Sequence, residues 1–137
     1  MPERVHSLAA SELLSRVFAR EIAEGELEPL IGRGVRIGVN DARLSFAVGF
    51  DGRRFHPESG PVDLTVTGSV YDFLLLVTGR EDPDTLFFHR HLAMEGDTAL
   101  GVYVKNFLAS VDPATLPLGH LLHPALQRCV ELYERTA

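Results

Sequence analysis

The chain has 137 residues, a length that suits one domain, and 45% of them are hydrophobic, which is enough for a real core. Its formal net charge of −6 disfavours nucleic acids as partners, because an acidic surface repels the phosphate backbone. The single cysteine, Cys129, cannot form an intramolecular disulfide and fits a reducing compartment. The longest apolar run, residues 73–77, is far shorter than the roughly 20 residues of a spanning helix. Because the first residues also lack an apolar signal core, we expect one soluble, cytoplasmic domain over residues 1–137.

The first predicted element is a helix over residues 7–24, which Gly25 ends. Its apolar residues recur at spacings of three and four and are Leu8, Leu14, Val17, Phe18 and Ile22. Alternation of apolar and polar residues then predicts strands over 35–39, 44–50 and 62–67. Asp51-Gly52 is a hairpin signal and predicts a short returning strand over 53–56.

In the second half, Ser69 and Asp72 have the spacing of a capping box and predict a helix over 70–78. A short helical turn after Asp82, a strand over 90–95 and a helix capped by Asp97 follow. The tail over residues 118–135 is amphipathic and predicts a final helix. Because the strands are linked by hairpins, the order of elements predicts an α+β fold, with a mainly antiparallel five-stranded sheet covered by helices.

The sequence contains few candidate residues for a metal site or a catalytic centre. His89 and His91 share strand parity with Glu95, and His120 and His123 have helical spacing, so a metal-dependent hydrolytic enzyme can be drawn. A solvent-facing polar strand side explains the first three better, and we predict no metal and no cofactor. No Gly-x-Ser-x-Gly sequence is present, and Cys129 lies on an apolar helix face where an inert thiol is expected.

Glycines and acids in the second half have structural explanations. Gly96 is expected in a turn before a helix and Gly101 at a close-packing position, because the sequence after Gly101 lacks the lysine of a phosphate-binding loop. Asp82, Asp84 and Asp97 are expected at helix starts or turns. What remains is a surplus of large apolar residues. Composition alone favours an ordinary core over a cavity for an apolar ligand, and periodicity does not separate the two.

The segments 82–88 (Asp-Pro-Asp-Thr-Leu-Phe-Phe), 92–101 (Leu-Ala-Met-Glu-Gly-Asp-Thr-Ala-Leu-Gly) and 104–106 (Val-Lys-Asn) resemble the sterol carrier protein 2 lipid-binding family. Within it they resemble the branch of accessory factors that serve oxygen-independent ubiquinone biosynthesis in bacteria. The resemblance covers about residues 7–112. It implies a hydrophobic tunnel between the sheet and the helices, and it implies no catalytic residues.

The candidates for lipid contact are apolar residues on the elements beside that tunnel. They are Phe46, Val48, Phe73, Leu74, Leu76, Val77, Phe87, Phe88, Leu92, Met94, Leu100, Val104, Phe107 and Leu108.

The same resemblance implies an isoprenoid quinone precursor or a phospholipid as ligand. It also implies a partner pair of iron–sulfur hydroxylases related to the peptidase U32 family. A chain with one cysteine cannot hold such a cluster itself. Transient membrane contact would place the protein at the periphery of the inner membrane. The alternatives left open are a general phospholipid carrier and a structural module that forms a homodimer through its first and last helices.

Overall fold

The computed structural model describes residues 3–111 and residue 134. Its elements in chain order are α1 (Glu3–Val17), α2 (Ala19–Ala23), β1 (Gly34–Val39), β2 (Leu44–Phe50), β3 (Phe55–Pro57), β4 (Leu64–Gly68), α3 (Val70–Val77), α4 (Pro83–Phe88), β5 (Ala93–Gly96) and α5 (Thr98–Ser110). The predicted tail helix lies outside the described residues except for Glu134, as do His120, His123 and Cys129.

The five strands form one sheet in the order β3-β2-β1-β4-β5, so the predicted α+β class and strand count are confirmed. The sheet is mixed, because β4 pairs with β1 in parallel while every other neighbouring pair is antiparallel. After β3 the chain crosses back to the free edge of β1. Asp63 fixes this crossing, since its backbone N–H donates to the Gly34 carbonyl at 2.8 Å and its carboxylate accepts from the Gly34 N–H at 2.8 Å.

One face of the sheet is apolar across its whole width. In the strand register, Ile37 lies opposite Phe46 on one side and Val66 on the other, and Val66 lies opposite Met94. Side chains directly opposite each other point to the same face, so these residues form a continuous apolar row. Leu27, Leu30 and Leu100 pack onto this face and close the buried core.

Where the sequence predicts one helix over 7–24, the structure has two helices that meet at Phe18. The backbone of Phe18 leaves helical geometry (φ −102°, ψ 23°), and its ring packs edge-on against Phe107 at 5.4 Å between centroids. The bend therefore coincides with a core contact that links the first and last described helices.

The face of α1 that meets the sheet carries serines as well as apolar residues. Ser7, Ser11 and Ser15 are four residues apart and so lie on one side of the helix. The Ser7 hydroxyl accepts a hydrogen bond from the Ala47 N–H at 2.9 Å, and the Ser15 hydroxyl accepts one from the Phe55 N–H at 2.8 Å. These hydroxyls satisfy strand donors that no neighbouring strand reaches, so α1 covers the β3 edge of the sheet.

Ser7→Ala is expected to lower the free energy of unfolding by about 1–3 kcal/mol, because it leaves the Ala47 N–H buried without an acceptor. Urea denaturation followed by circular dichroism measures this change. Ser59→Ala, in an exposed loop, is the matched control and should leave the midpoint unchanged. Equal stability of the two variants would contradict the role given to Ser7.

Candidate functional site

The candidate site lies between β5 and α5, and helix α4 forms its third side. Helix α4 begins at Asp82, whose carboxylate accepts hydrogen bonds from the Thr85 N–H at 2.8 Å and the Thr85 hydroxyl at 2.7 Å. Pro83 occupies the first turn, where its missing N–H costs nothing. These residues belong to the segment 82–88. The polar residues of this segment therefore serve to start a helix.

The chain leaves α4 through a tightly closed turn. The N–H groups of His91 and Leu92 both donate to the Leu86 carbonyl, at 2.9 and 3.1 Å. Arg90 takes the left-handed conformation (φ 62°) that this closure requires. Leu86 and Leu92 are each only 1% exposed, so both ends of the turn are anchored in the interior. Because the turn extends to Leu92, strand β5 begins at Ala93 and not at residue 90 as predicted.

Gly96 and Asp97 set the start of α5. Gly96 has φ 122°, and a Cβ atom there would lie 2.3 Å from the Asp63 carbonyl oxygen, so only glycine fits. Asp97 caps the helix by accepting from the Leu100 N–H at 2.9 Å, and it accepts a second hydrogen bond from the Arg33 guanidinium at 2.6 Å. The predicted roles of Gly96 as a turn residue and Asp97 as a helix cap are confirmed.

Between these elements runs a groove of about 470 Å³, within the range of about 300–1,000 Å³ typical of small-molecule sites. Its floor is apolar and consists of Leu64, Phe87, Leu92, Met94 and Gly101. Its rim carries the charged residues Arg90, Glu95, Asp97 and Lys105. The groove thus combines a hydrocarbon floor with a polar rim, an arrangement that suits an amphiphilic ligand.

Gly101 determines how closely α5 approaches the sheet beside the groove. A Cβ atom on Gly101 would lie 3.3 Å from the Met94 sulfur and 3.6 Å from Leu64 Cδ1, so the absent side chain lets α5 lie close to the sheet. The predicted close-packing role of this glycine is confirmed. Leu64 lies on the groove floor but is not among the residues predicted to contact lipid. Its apolar position in the predicted strand 62–67 is the sequence feature that could have identified it.

Both helix-capping aspartates have a lowered pKa. The Thr85 N–H and then the Thr85 hydroxyl hold the pKa of Asp82 below its usual value. The Leu100 N–H and then the Arg33 guanidinium lower the pKa of Asp97. Since a lowered folded-state pKa favours the ionised form, these groups stabilise the fold above the unfolded pKa. That stabilisation is lost as the pH falls through the folded pKa.

Asp97→Asn is therefore expected to unfold at a lower temperature than wild type at neutral pH, by an amount that shrinks below about pH 4. Asparagine can still cap a helix, so the variant isolates the charge. Thermal melts across the acid range measure the difference between the two proteins. A difference that stays constant down to the acid limit would show that the carboxylate charge contributes nothing.

The structure brings twelve of the fourteen lipid-contact candidates into the interior or its margin. Val48, Leu92 and Leu100 are buried. Nine more are half-buried, namely Phe46, Phe73, Leu74, Leu76, Phe87, Met94, Val104, Phe107 and Leu108. The other two, Val77 and Phe88, are 45% and 82% exposed because they lie at the ends of α3 and α4 and point outward.

Helix α3 carries four of these candidates on a helix with little polar surface. Phe73 packs against the core, and the remaining apolar residues of the helix are half-buried or exposed. Glu134 lies beside α3, where it accepts a hydrogen bond from the Tyr71 hydroxyl at 3.3 Å and pairs with Arg80 at 3.7 Å. At least one residue of the tail therefore lies against the surface of this helix.

Of the residues considered for catalysis, those that the structure describes do not assemble into a centre. His89 ends α4 and His91 lies in the following turn, so neither shares a strand with Glu95, because the turn closed by Arg90 replaces the predicted start of β5. No group of three potential ligands able to hold a metal occurs among the described residues. Ser69, Asp72 and His91 are neighbours, but Asp72 lies between the other two, with the serine as helix cap. A serine nucleophile needs the histidine in that central position.

A second groove, of about 620 Å³, lies between the start of α1 and the loop after β3. Its lining includes Glu3, Arg4, Arg36 and Glu58, so it offers charged side chains where hydrocarbon would need an apolar floor.

Within residues 3–111 and 134, no helix has both the length and the apolar character needed to cross a bilayer.

Comparison with known proteins identifies relatives of the chain. Residues 11–109 match the SCP-2 sterol transfer family. The chain is 36% identical over 107 residues to the ubiquinone biosynthesis accessory factor UbiT of Escherichia coli strain K12, and the same holds for the O157:H7 protein. This alignment covers 77% of the chain but 62% of UbiT, so the chain spans less than two thirds of that relative's length. The resemblance predicted from residues 82–106 is confirmed.

Solved structures agree on the fold. The UbiJ-SCP2 ubiquinone synthesis protein superposes with a TM-score of 0.59 at 23% identity, covering 74% of this chain and 88% of that chain. Palmitated SCP2L2 from Aedes aegypti, solved by solution NMR, superposes with a TM-score of 0.54 at 13% identity, covering 69% and 89%. At these identities the likeness establishes the architecture alone.

Proposed function

The chain belongs to the SCP-2 sterol transfer family, and from this premise we propose that it is a non-catalytic lipid-binding accessory factor of ubiquinone biosynthesis. The observation that carries the proposal is the groove between β5 and α5, with its apolar floor and charged rim. The 36% identity to UbiT, a protein named as an accessory factor of that pathway, supports the choice of pathway.

The proposed ligand is an isoprenoid quinone precursor or a phospholipid, with its hydrocarbon on the groove floor. Burying hydrocarbon gains roughly 0.8 kcal/mol per CH₂ group, so ten buried groups give about 8 kcal/mol before ordering costs. Micromolar affinity corresponds to about the same free energy. A ligand with more than about ten buried groups would thus leave a net gain after ordering costs, without a buried charge.

We further propose that the protein acts in the oxygen-independent branch of the pathway, beside the iron–sulfur hydroxylase pair related to the peptidase U32 family. The resemblance of the segment 82–88 to that branch supports this assignment. In this role the protein presents a lipid and the hydroxylases perform the chemistry. It would work in the cytoplasm and make transient contact with the inner membrane.

Mass spectrometry of the gently purified protein tests the ligand. We expect an isoprenoid quinone precursor or a phospholipid to co-purify in near-stoichiometric amount. A phospholipid alone would favour a general lipid carrier, and ligand-free protein would count against lipid binding altogether.

Deletion of the gene tests the pathway. We expect ubiquinone to fall in cells grown without oxygen and to stay normal in aerated cells. Unchanged ubiquinone without oxygen would remove the pathway assignment and leave lipid binding untouched.

A homodimer is the second candidate, and the outer face of α1 favours it. Leu8 is 57% exposed on this helix, and Val5 and Leu13 are nearly half exposed. Light scattering distinguishes a dimer from a monomer. Conversion to a monomer by Leu8→Ser would assign this face to the dimer.

A further inference from the structure

The last residue of α4 presents an aromatic side chain to solvent. Phe88 is 82% exposed, the largest exposure among the large hydrophobic side chains of the described residues. Its neighbour Phe87 is half-buried and packs against the core, so the two consecutive rings differ in their surroundings. A single exposed hydrophobic side chain is ordinary on a protein surface, and among the described rings Phe88 contacts only its neighbour His89, edge-on, at 5.3 Å between centroids. The significance of Phe88 therefore depends on the backbone, the charges and the groove around it.

The backbone that carries Phe88 is held firmly. The Arg90 N–H donates to the Phe87 carbonyl at 3.1 Å, and the Leu86 carbonyl accepts from both His91 and Leu92. Leu86 and Leu92 are fully buried on either side of the turn. Phe88 is thus exposed at the end of a helix whose following turn is held in place by hydrogen bonds. Within that turn, Arg90 adopts a positive φ that an arginine rarely takes.

The charges around Phe88 suit an anionic partner. No carboxylate among the described residues lies within ion-pair distance of the Arg90 guanidinium. Nearby, Lys105 pairs with Asp84 at 3.2 Å and the rim residue Asp97 pairs with Arg33, so these acids and bases neutralise each other. Outside these pairs the groove rim carries Arg90 and Glu95, and Arg90 is the cation beside the ring that remains available to a phosphate group.

This surface adjoins the opening of the apolar groove. The cleft beside Phe88 and the groove share Phe87 and Lys105 in their linings. The groove rim also carries Arg90 and the half-exposed Val102. A bilayer in contact with Phe88 and Val102 would therefore meet the groove at its mouth.

We propose that Phe88 inserts into the interface of an anionic phospholipid bilayer while Arg90 contacts the lipid phosphates, so that the groove opens toward the membrane. This docking deepens the lipid-binding function proposed above, since it supplies a route by which a lipid enters the groove without crossing water. The free energy comes from apolar area buried at the interface together with attraction to anionic lipid.

A tryptophan reporter tests the insertion directly, because the chain has no tryptophan of its own. In Phe88→Trp, addition of vesicles of phosphatidylcholine and phosphatidylglycerol should shift the emission to shorter wavelength. Ser59→Trp, in the exposed loop after β3, is the matched reporter and should not shift. A shift at residue 59 without one at residue 88 would overturn the proposal, as would a concentration-dependent shift at residue 88 without vesicles, which would indicate contact with a second copy.

Vesicle sedimentation separates the two contributions. Phe88→Ser should weaken binding by about tenfold, since it removes the inserted ring. Arg90→Asn, which keeps a residue tolerant of positive φ, should weaken binding to the mixed vesicles by about fivefold at low salt, and binding to pure phosphatidylcholine should not change. Thermal melts confirm that both variants are folded. Wild-type sedimentation of folded Phe88→Ser would refute the docking surface.

These assays do not depend on the groove ligand. Vesicle docking by a protein that purifies without lipid would retain this inference and remove the proposed lipid-binding function. Co-purified lipid in a protein that does not bind vesicles would retain the proposed lipid-binding function and remove this inference.

Discussion

Gly96→Ala is expected to lower the free energy of unfolding by about 3 kcal/mol. Two costs add at this position. The backbone has φ 122°, which alanine does not adopt without strain, and the new Cβ would lie 2.3 Å from the Asp63 carbonyl oxygen. The carbonyl oxygen belongs to the main chain and the Cβ atom is bonded directly to it. No side-chain rotation can therefore relieve the clash.

Urea denaturation measures the loss, and Gly60→Ala is the matched control. Gly60 has an ordinary backbone conformation, and the nearest atom to its added Cβ is Glu58 Oε1 at 3.5 Å. That variant should stay within about 0.5 kcal/mol of wild type. Similar midpoints for the two variants would mean that the turn between β5 and α5 can relax, which would contradict the tight approach of Gly96 to Asp63.

Gly101→Leu is expected to weaken lipid binding strongly while leaving the protein folded. The new side chain would extend past Met94 and Leu64 into the groove and occupy the space proposed for hydrocarbon. Replacing a helical glycine gains about 0.8 kcal/mol of helix propensity, and crowding against the flexible Met94 side chain costs about 1–3 kcal/mol. The net change in stability is therefore small, and affinity should fall at least about tenfold.

Lipid transfer between vesicles and mass spectrometry of the purified variant measure this effect. Ala109→Leu adds a side chain of the same size to the exposed side of the same helix and should retain wild-type binding. Full lipid content in Gly101→Leu would place the ligand elsewhere in the molecule. Loss in both variants would indicate a general effect on α5.

Local features of this fold could be predicted from the sequence. The capping box of Ser69 and Asp72 forms as expected, with the serine hydroxyl accepting from the Asp72 N–H at 3.1 Å and the aspartate accepting from the Ser69 N–H at 3.0 Å. The same holds for the cap at Asp97 and the turn at Gly96. Each of the two cap interactions joins residues three positions apart, so the sequence contains the whole interaction, whereas the close approach of Gly96 to Asp63 does not follow from local sequence.

Features that depend on distant residues could not be predicted. The serines of α1 look like polar surface in the sequence, because their acceptor role requires the strand donors of Ala47 and Phe55, 40 residues away. Leu8 likewise belongs to the apolar repeat of the first predicted helix, yet its side chain is exposed. The groove combines residues from β4, α4, β5 and α5, so its candidates could be selected by polarity but not separated from Phe88, whose ring points outward.

The parallel pairing of β1 with β4 also has a consequence for the order of folding. The hairpin of β1 and β2 closes over a few residues, whereas the Val35–Leu64 partners can meet only after the intervening hairpin segment has been looped out. Closing that longer loop costs more chain entropy before any contact compensates for it. We expect the β1–β2–β3 meander to assemble first and β4 to dock late, so that mutations in β4 mainly change the unfolding rate and mutations in the first hairpin change the folding rate.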